Sequence, residues 1–323
     1  MPKINKKSIL EGIFSSIGII LFAYLIWSVK LDKIIDAISH ITLPYFLISL
    51  LLVPVVVMVD TFRWKILAKD QDVDLDFFEM VKIYTAGLFL ANVTPGSIGA
   101  YIRAKLLHDN GKSFGRSLSN VVVDISMRTL PLHITSMFAL IFLFPSKLSL
   151  LPLILLLIAP SVLPLIVIYK GGKLGNRLSR RLFASHLSAN YREKLTEGVS
   201  EIFDKPPHLI SLIKSILVTC LALIPLMGLQ IYMISLSLGI KIPFINITGI
   251  WVVSLSVTCL PVSISGLGVR EASMVYLLSE YGIEKNTAIA LSLLGYTVCT
   301  LVPSIAGAIF YIHHSMSRVR VVK

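Results

Sequence analysis

Charge is scarce in this 323-residue chain: Asp, Glu, Lys and Arg make up 15% of it, against ~25% in water-soluble domains. With 55% hydrophobic residues, that excludes an ordinary soluble globule. Cysteine is scarce too. Cys220, Cys259 and Cys299 are the whole set; each falls in an apolar segment with no partner at metal-ligand spacing, so they read as small packing residues. No His-Glu-x-x-His or Cys/His cluster is present, so no metal and no cofactor is expected. Catalytic motifs fail on context. Gly111-Lys112-Ser113-Phe114-Gly115 matches G-x-S-x-G, but a nucleophile elbow needs a strand-to-helix turn, and this stretch lies in a polar loop beginning Asp109-Asn110. Leu106 stands where a phosphate-binding loop needs its first glycine. The reading is therefore not an enzyme. Acids are outnumbered, 18 against 30 basic residues for a net charge of +12. Yet the basic residues sit between apolar runs rather than on a surface interleaved with aromatics, which excludes nucleic acid as a partner.

What is abundant is apolar sequence in long runs. Stretches of about 17 to 25 residues, each able to cross ~30 Å of hydrocarbon, recur from Ile13 to Ile312. Lys3, Lys6 and Lys7 precede the first, Ile13 to Val29, with no small-residue cleavage site after it, so it reads as a retained span. Leu31 to Thr42 places Ile34, Ile38 and Ile41 on one face, as in a helix lying in the interface. Leu43 to Val59 crosses back and ends in Arg63, Trp64, Lys65 and Lys69, an edge of cytoplasmic character. Phe77 to Val93 is apolar but runs into Thr94-Pro95-Gly96-Ser97-Ile98-Gly99, which ends a helix. Charge returns at Arg103 and Lys105, too soon for a second crossing. This pattern predicts a re-entrant hairpin over 77–107, tolerated only where protein or a polar cavity surrounds it.

Ser117 to Phe144 and Leu150 to Tyr169 are full spans. Between Lys170 and His208 lies a basic loop, including Arg177, Arg180, Arg181 and Arg192, that suits anionic lipid. Leu209 to Leu238 crosses outward. Phe244 to Leu260 re-enters before Pro261-Val262-Ser263-Ile264-Ser265-Gly266-Leu267-Gly268, followed at once by Arg270 and Glu271, and Thr287 to Ile312 is the last span. Under this topology Lys30, Lys33, Lys147, Lys241, Arg270 and Lys285 lie outside and Arg128 within a span, leaving 23 of the 30 Lys and Arg on the cytoplasmic side. Both termini are then cytoplasmic, in the cell membrane.

The expected fold is an all-α polytopic membrane protein with about six full crossings plus two re-entrant broken hairpins in an inverted repeat. It forms one membrane domain: a first span and interfacial helix (1–42), a half-repeat (43–145) with its hairpin, a connecting span and basic loop (146–207), an inverted half-repeat (208–313) with a hairpin at 244–281, and a basic tail (314–323). The hairpins point to a site. Inverted repeats of transporters put broken helices at mid-membrane, where a restarting helix offers N–H groups to an anion. Candidate substrate-binding residues are Pro95, Gly96, Ser97, Gly99 and Arg103 at the first break, and Pro261, Ser263, Gly266, Gly268, Arg270 and Glu271 at the second. Arg103 and Arg270 would add charge-assisted hydrogen bonds to a phosphate. Asp124 and Arg128, four apart with the acid first, complete the set as an expected intrahelical pair, structural or engaged in substrate or proton coupling. His133 reads as a hydrogen-bonded packing residue, and Asp60 and Lys214 as anchoring groups near span ends.

The two breaks, Leu90 to Leu107 and Cys259 to Ser273, with the spans that follow, resemble the family of flippase-like membrane domains typified by the transmembrane region of lysylphosphatidylglycerol synthase. The most specific parts are Pro95-Gly96-x-x-Gly99 with Arg103, and Ser265-Gly266-Leu267-Gly268-Val269-Arg270-Glu271-Ala272. The resemblance covers nearly the whole chain. It implies movement of a lipid from inner to outer leaflet, in the namesake an aminoacylated phosphatidylglycerol. Neither an aminoacyl-transfer nor a glycosyltransferase domain accompanies it here, so synthesis of a lysyl lipid is not implied. One departure stands out: the family shows an acid followed directly by Arg, whereas here Asp124 is followed by Ile125 and the Arg comes at 128. The expected function is a flippase for a phospholipid or polyprenyl-phosphate lipid, with membrane lipids bearing an anionic headgroup or lipid phosphate as partners. The alternative is a non-transporting partner of an envelope-lipid or polysaccharide-synthesis enzyme, docked through the basic loop.

Overall fold

The computed structural model describes Ser39 and residues 41–183, 200–260 and 266–321. The expected first span and interfacial helix, Arg192, Pro261 and Ser263 lie outside the described residues. Among the described residues every regular element is helical. In chain order they are α1 (Leu43–Asp70), α2 (Phe77–Val93), α3 (Ile102–Asp109), α4 (Phe114–Leu143), α5 (Leu151–Phe183), α6 (Leu209–Ser237), α7 (Phe244–Thr258), α8 (Val269–Leu278) and α9 (Lys285–His314). Five of these, α1, α4, α5, α6 and α9, are long and apolar enough to cross a membrane. The chain is an all-α, multi-pass membrane protein.

Local chemistry sets the boundaries. The Asp76 carboxylate accepts from Phe78 N at 3.1 Å and starts α2; the Ser113 hydroxyl accepts from Arg116 N at 3.3 Å and starts α4. Each cap satisfies a backbone donor that the first turn leaves open. Thr94 turns extended at the end of α2, and Pro95–Tyr101 then winds as a 3₁₀ helix that passes directly into α3, Tyr101 already being helical. The first break is thus a tightened segment and not a clean restart, a correction to the expected free helix N-terminus. α5 also runs further than expected: it continues past Tyr169 through Gly171 and Gly172 to Phe183.

The bundle has two polar ends. At one, Arg116 pairs with Asp204 at 2.7 Å, Ser113 donates to Glu201 at 2.7 Å, and Lys205 pairs with Asp72. At the other, Lys147 meets Glu280 at 3.5 Å, Ser149 and Tyr276 share a hydrogen bond of 2.9 Å, and Asn246 donates to Tyr281 at 2.5 Å. α2 starts and α3 finishes at the first end. α7 starts and α8 finishes at the second.

Order and packing repeat: a long helix, a 17- or 15-residue helix, a break, a short helix and another long helix occur twice. The contacts between the two sets are exchanged. α2 packs on α9, where Gly307 lets the helices meet at the Thr85 backbone and Asn92 donates to Ser304 at 2.6 Å. α7 packs on α4, where Ser136 and Ser256 share a hydrogen bond of 2.6 Å. α1 packs on α6, with Gln230 donating to the Ser49 carbonyl at 3.1 Å. Small residues at such crossings allow close approach, which is how helices associate when lipid removes the hydrophobic drive between them. Polarity is inverted relative to a soluble fold: Leu51, Phe142 and Leu221 are more than 70% exposed while Arg63, Asp60 and Asp124 are buried. An apolar solvent around the bundle accounts for both.

Candidate functional site

A cavity of ≈ 440 Å³ opens where the two sets of helices face each other, bounded by α1, α2, α4, α5, α6, α7 and α9 and by both breaks. The volume lies within the ~300–1,000 Å³ typical of small-molecule sites. Its charged wall is built by four elements. Asp60 and Arg63, one turn apart on α1, pair at 2.9 Å. Asp124 of α4 takes Arg63 on one carboxylate oxygen at 2.6 Å and Arg103 of α3 on the other at 2.7 Å. Arg128, one turn further along α4, meets Asp60 at 3.0 Å, and the Tyr84 hydroxyl of α2 donates to the same carboxylate.

These charges are ordered by several supports. Arg103 lies over the rings of Trp64 and Tyr84, 4.9 and 5.5 Å from their centroids, a placement favourable to a guanidinium. Gly87 makes the slot, since a Cβ there would come within 2.7 Å of the Arg103 Cγ. Trp64 is fixed in turn by donating to Asn120 at 2.7 Å, and Asn120 donates to Gln71 at 3.0 Å. Arg63 has no exposed surface and Arg103 is 4% exposed, whereas the Arg128 side chain is 40% exposed. Among the described residues Asp60 is the only partner of Arg128.

The second break builds a smaller wall. Gly268 adopts φ +82° and begins α8, a conformation that costs a side-chain-bearing residue energy. The Glu271 carboxylate accepts from Gly268 N at 2.6 Å, from Arg270 at 2.5 Å and from Ser292 at 3.0 Å. Arg270 also sits 4.4 Å from the centroid of the Tyr296 ring. The start of this helix is therefore occupied by the chain's own carboxylate. At the first break Gly99 N donates to the Thr94 hydroxyl at 2.8 Å, so that segment too is partly satisfied from within.

Of the expected site residues, Ser97, Arg103, Asp124, Arg128, Gly266 and Arg270 border the cavity. Gly99 and Gly268 shape the breaks, Glu271 stands behind Arg270, and Pro95 and Gly96 belong to the 3₁₀ segment. Several pairings differ from expectation. Asp124 does not pair with Arg128 along its helix but reaches across to Arg63 and Arg103. Asp60, Arg63 and Trp64 are no interfacial edge: all three are buried. Arg103 and Arg270, the expected phosphate donors, each hold a carboxylate, Arg270 that of its neighbour Glu271. His133 lines the cavity, is 1% exposed, and its Nδ1 has no hydrogen-bond partner. Reading by span assigns Asp60 and Arg63 to a span end and does not single out Tyr84. The available signal was an acid and an arginine one turn apart, with Trp64 beside them, closing an apolar run.

The family model for the lysylphosphatidylglycerol synthase TM region matches residues 11–307. The chain belongs to this family. Among its relatives, the UPF0104 membrane protein PH1989 of Pyrococcus horikoshii is 24% identical over 315 residues, 91% of this chain and 94% of that protein. The UPF0104 membrane protein MJ1595 of Methanocaldococcus jannaschii is 24% identical over 325 residues, covering 95% and 94%. As a member of the lysylphosphatidylglycerol synthase TM-region family, the chain carries its acid and arginine of α4 four residues apart, which puts Arg128 on Asp60 and leaves Asp124 to the two buried arginines.

Proposed function

We propose that this member of the family moves a lipid with an anionic headgroup between the leaflets, without chemical conversion. The observation that carries the reading is Arg128: a partly open guanidinium, held by one carboxylate, in a cavity lying between two helix breaks. A buried cation is costly unless neutralised, and a phosphate oxygen pair suits a guanidinium fork. On this reading the α2–α3 and α7–α8 pairs are re-entrant hairpins entering from opposite faces, and the exchanged packing of α2 on α9 and α7 on α4 is the inverted repeat. The halves rock about the α1–α6 contact, exposing the headgroup to one side and then the other. The ends carrying Asp72, Arg116 and Lys205 face the cytoplasm, in keeping with the excess of Lys and Arg there.

Leaflet transfer of acyl-labelled lipids in vesicles reconstituted with purified protein tests this. Arg128→Gln is expected to slow transfer at least ten-fold while the protein stays folded. Equal rates for wild type and variant would refute the assignment.

A further inference from the structure

The charge of the cavity wall is not balanced, and the imbalance selects a ligand. Arg103, Arg128 and Arg270 line the cavity with Asp60 and Asp124, and behind them Arg63 and Glu271 add one charge of each sign, which leaves an excess of one positive charge. The count is of the described residues; the sequence at 261–265 carries no ionisable side chain. Every carboxylate is already committed: Asp124 to two arginines, Asp60 to two arginines and Tyr84, Glu271 to Arg270, Ser292 and a backbone N–H. Among the described residues no uncommitted carboxylate is left for an incoming ammonium. The opening falls at Arg128, and the cavity is also lined by residues with neutral hydrogen-bonding groups, among them Ser97, Thr129 and His133.

We infer that the cavity takes a phosphodiester headgroup of net charge −1 whose remainder is an uncharged, hydroxyl-bearing group. This deepens the lipid-transfer reading and rests on it for the source of the headgroup. The reasoning is electroneutrality in a low-dielectric site, where each uncompensated charge carries a large desolvation cost. A monoanionic diester brings the wall and ligand to zero. A zwitterionic headgroup leaves the excess positive charge in place and adds an ammonium without a carboxylate. A phosphomonoester, with a charge of about −1.5 to −2 at pH 7, overshoots. The neutral groups lining the cavity, Ser97 and Thr129 among them, then hydrogen-bond the hydroxyls of the headgroup.

Cys259 lines the cavity and Cys220 does not, so alkylation of these two native thiols, read separately by peptide mass spectrometry, reports occupancy with an internal control. The full chain in phosphatidylcholine vesicles is challenged with phosphatidylglycerol, phosphatidylethanolamine or phosphatidic acid, and with water-soluble glycerophosphoglycerol. Phosphatidylglycerol is expected to protect Cys259, not Cys220, at concentrations at least ten-fold below those required of the other two lipids. Arg128→Lys should keep this preference and Arg128→Gln should lose it. Protection by phosphatidylethanolamine or phosphatidic acid at equal or lower concentration overturns the inference, as does no protection by any lipid. If glycerophosphoglycerol protects as well as the lipid does, the charge rule stands and the lipid reading falls. If phosphatidylglycerol binds selectively yet no lipid changes leaflet, transport fails while the headgroup assignment stands. If transfer proceeds without headgroup preference, the reverse holds.

Discussion

Replacing Asp124 by Asn should destabilise the protein far more than any change at Arg128. Asp124 is 1% exposed and takes two guanidiniums, Arg63 at 2.6 Å and Arg103 at 2.7 Å. The amide keeps the shape but loses the charge, and its NH₂ group points a donor at one of two donors. Asp60 would then be the only carboxylate for three arginines. Removing one partner of a buried ion pair costs ~3–5 kcal/mol, because the other charge is left uncompensated. At ~2–4 °C per kcal/mol, the scale for chains of 150–250 residues, the melting temperature should fall by roughly 10 °C. Arg128 offers the contrast. It is 40% exposed and pairs with Asp60, and its loss leaves Asp60 bonded to Arg63 and Tyr84, so Arg128→Gln should shift melting by less than about 3 °C on the same scale. Size-exclusion chromatography after graded heating measures both variants. The double variant Asp124→Asn, Arg103→Met removes the stranded cation and should recover part of the loss, the coupling expected of residues in contact. An Asp124→Asn protein melting within about 2 °C of wild type would refute the burial argument behind these magnitudes.

Other outcomes follow from the same geometry. Glu271→Ala strips the N-terminus of α8 of its cap and Arg270 of its partner; the two losses together amount to roughly 4–6 kcal/mol, and the heating assay should show a fall at least as large as for Asp124→Asn. Gly307→Leu drives a side chain into the Thr85 backbone where α9 meets α2; folded yield on gel filtration should collapse, whereas Gly111→Ala, in open space, should cost little beyond the strain of its positive φ. The Asp72 carboxyl, outside the spans, is held below the usual 3.8 chiefly by the hydrogen bond from Lys205, aided by the Lys205 and Arg116 charges. Because the folded value is depressed, the small stability it contributes is present above pH 3.8 and fades as pH falls through the folded value. The difference in melting between wild type and Asp72→Asn should therefore be constant near neutrality and vanish in acid.

The spans and the breaks are legible in the sequence because each is a local property: an apolar run of fixed length, or Pro and Gly in close succession. α2 begins and ends where hydropathy places it, at Phe77 and Val93. The partners within the site are not legible in this way. Asp124 reaches Arg63 from 61 residues away and Arg103 from 21, whereas the tempting partner four residues on, Arg128, is turned toward Asp60. Helix spacing describes who can touch along one helix; it says nothing of a stronger offer from a neighbour. Asp60 illustrates a second reason. An acid after Val59 looks like the end of a crossing, but α1 continues to Asp70, since its last turns pack against α2, α4 and the start of α6 and can bury polar groups there. The first break shows a third: Pro95 and Gly96 announce an interruption, yet whether the chain restarts as α or tightens to 3₁₀ is decided by Thr94 and by what packs on Gly99.

The exchange of partners between the two sets of helices also bears on how the protein is made. α2 finds its mate only when α9 exists, and the contacting residues Asn92 and Ser304 lie 212 positions apart; at ~5–20 residues per second, synthesis alone imposes a wait of roughly 10 to 40 s. During that interval Asn92 and the backbone at Thr85 face lipid or a provisional neighbour. A ribosome stalled before Val302 would hold a chain whose α2 has nowhere to dock, and it is at this stage that the membrane's own chaperones and proteases would meet it.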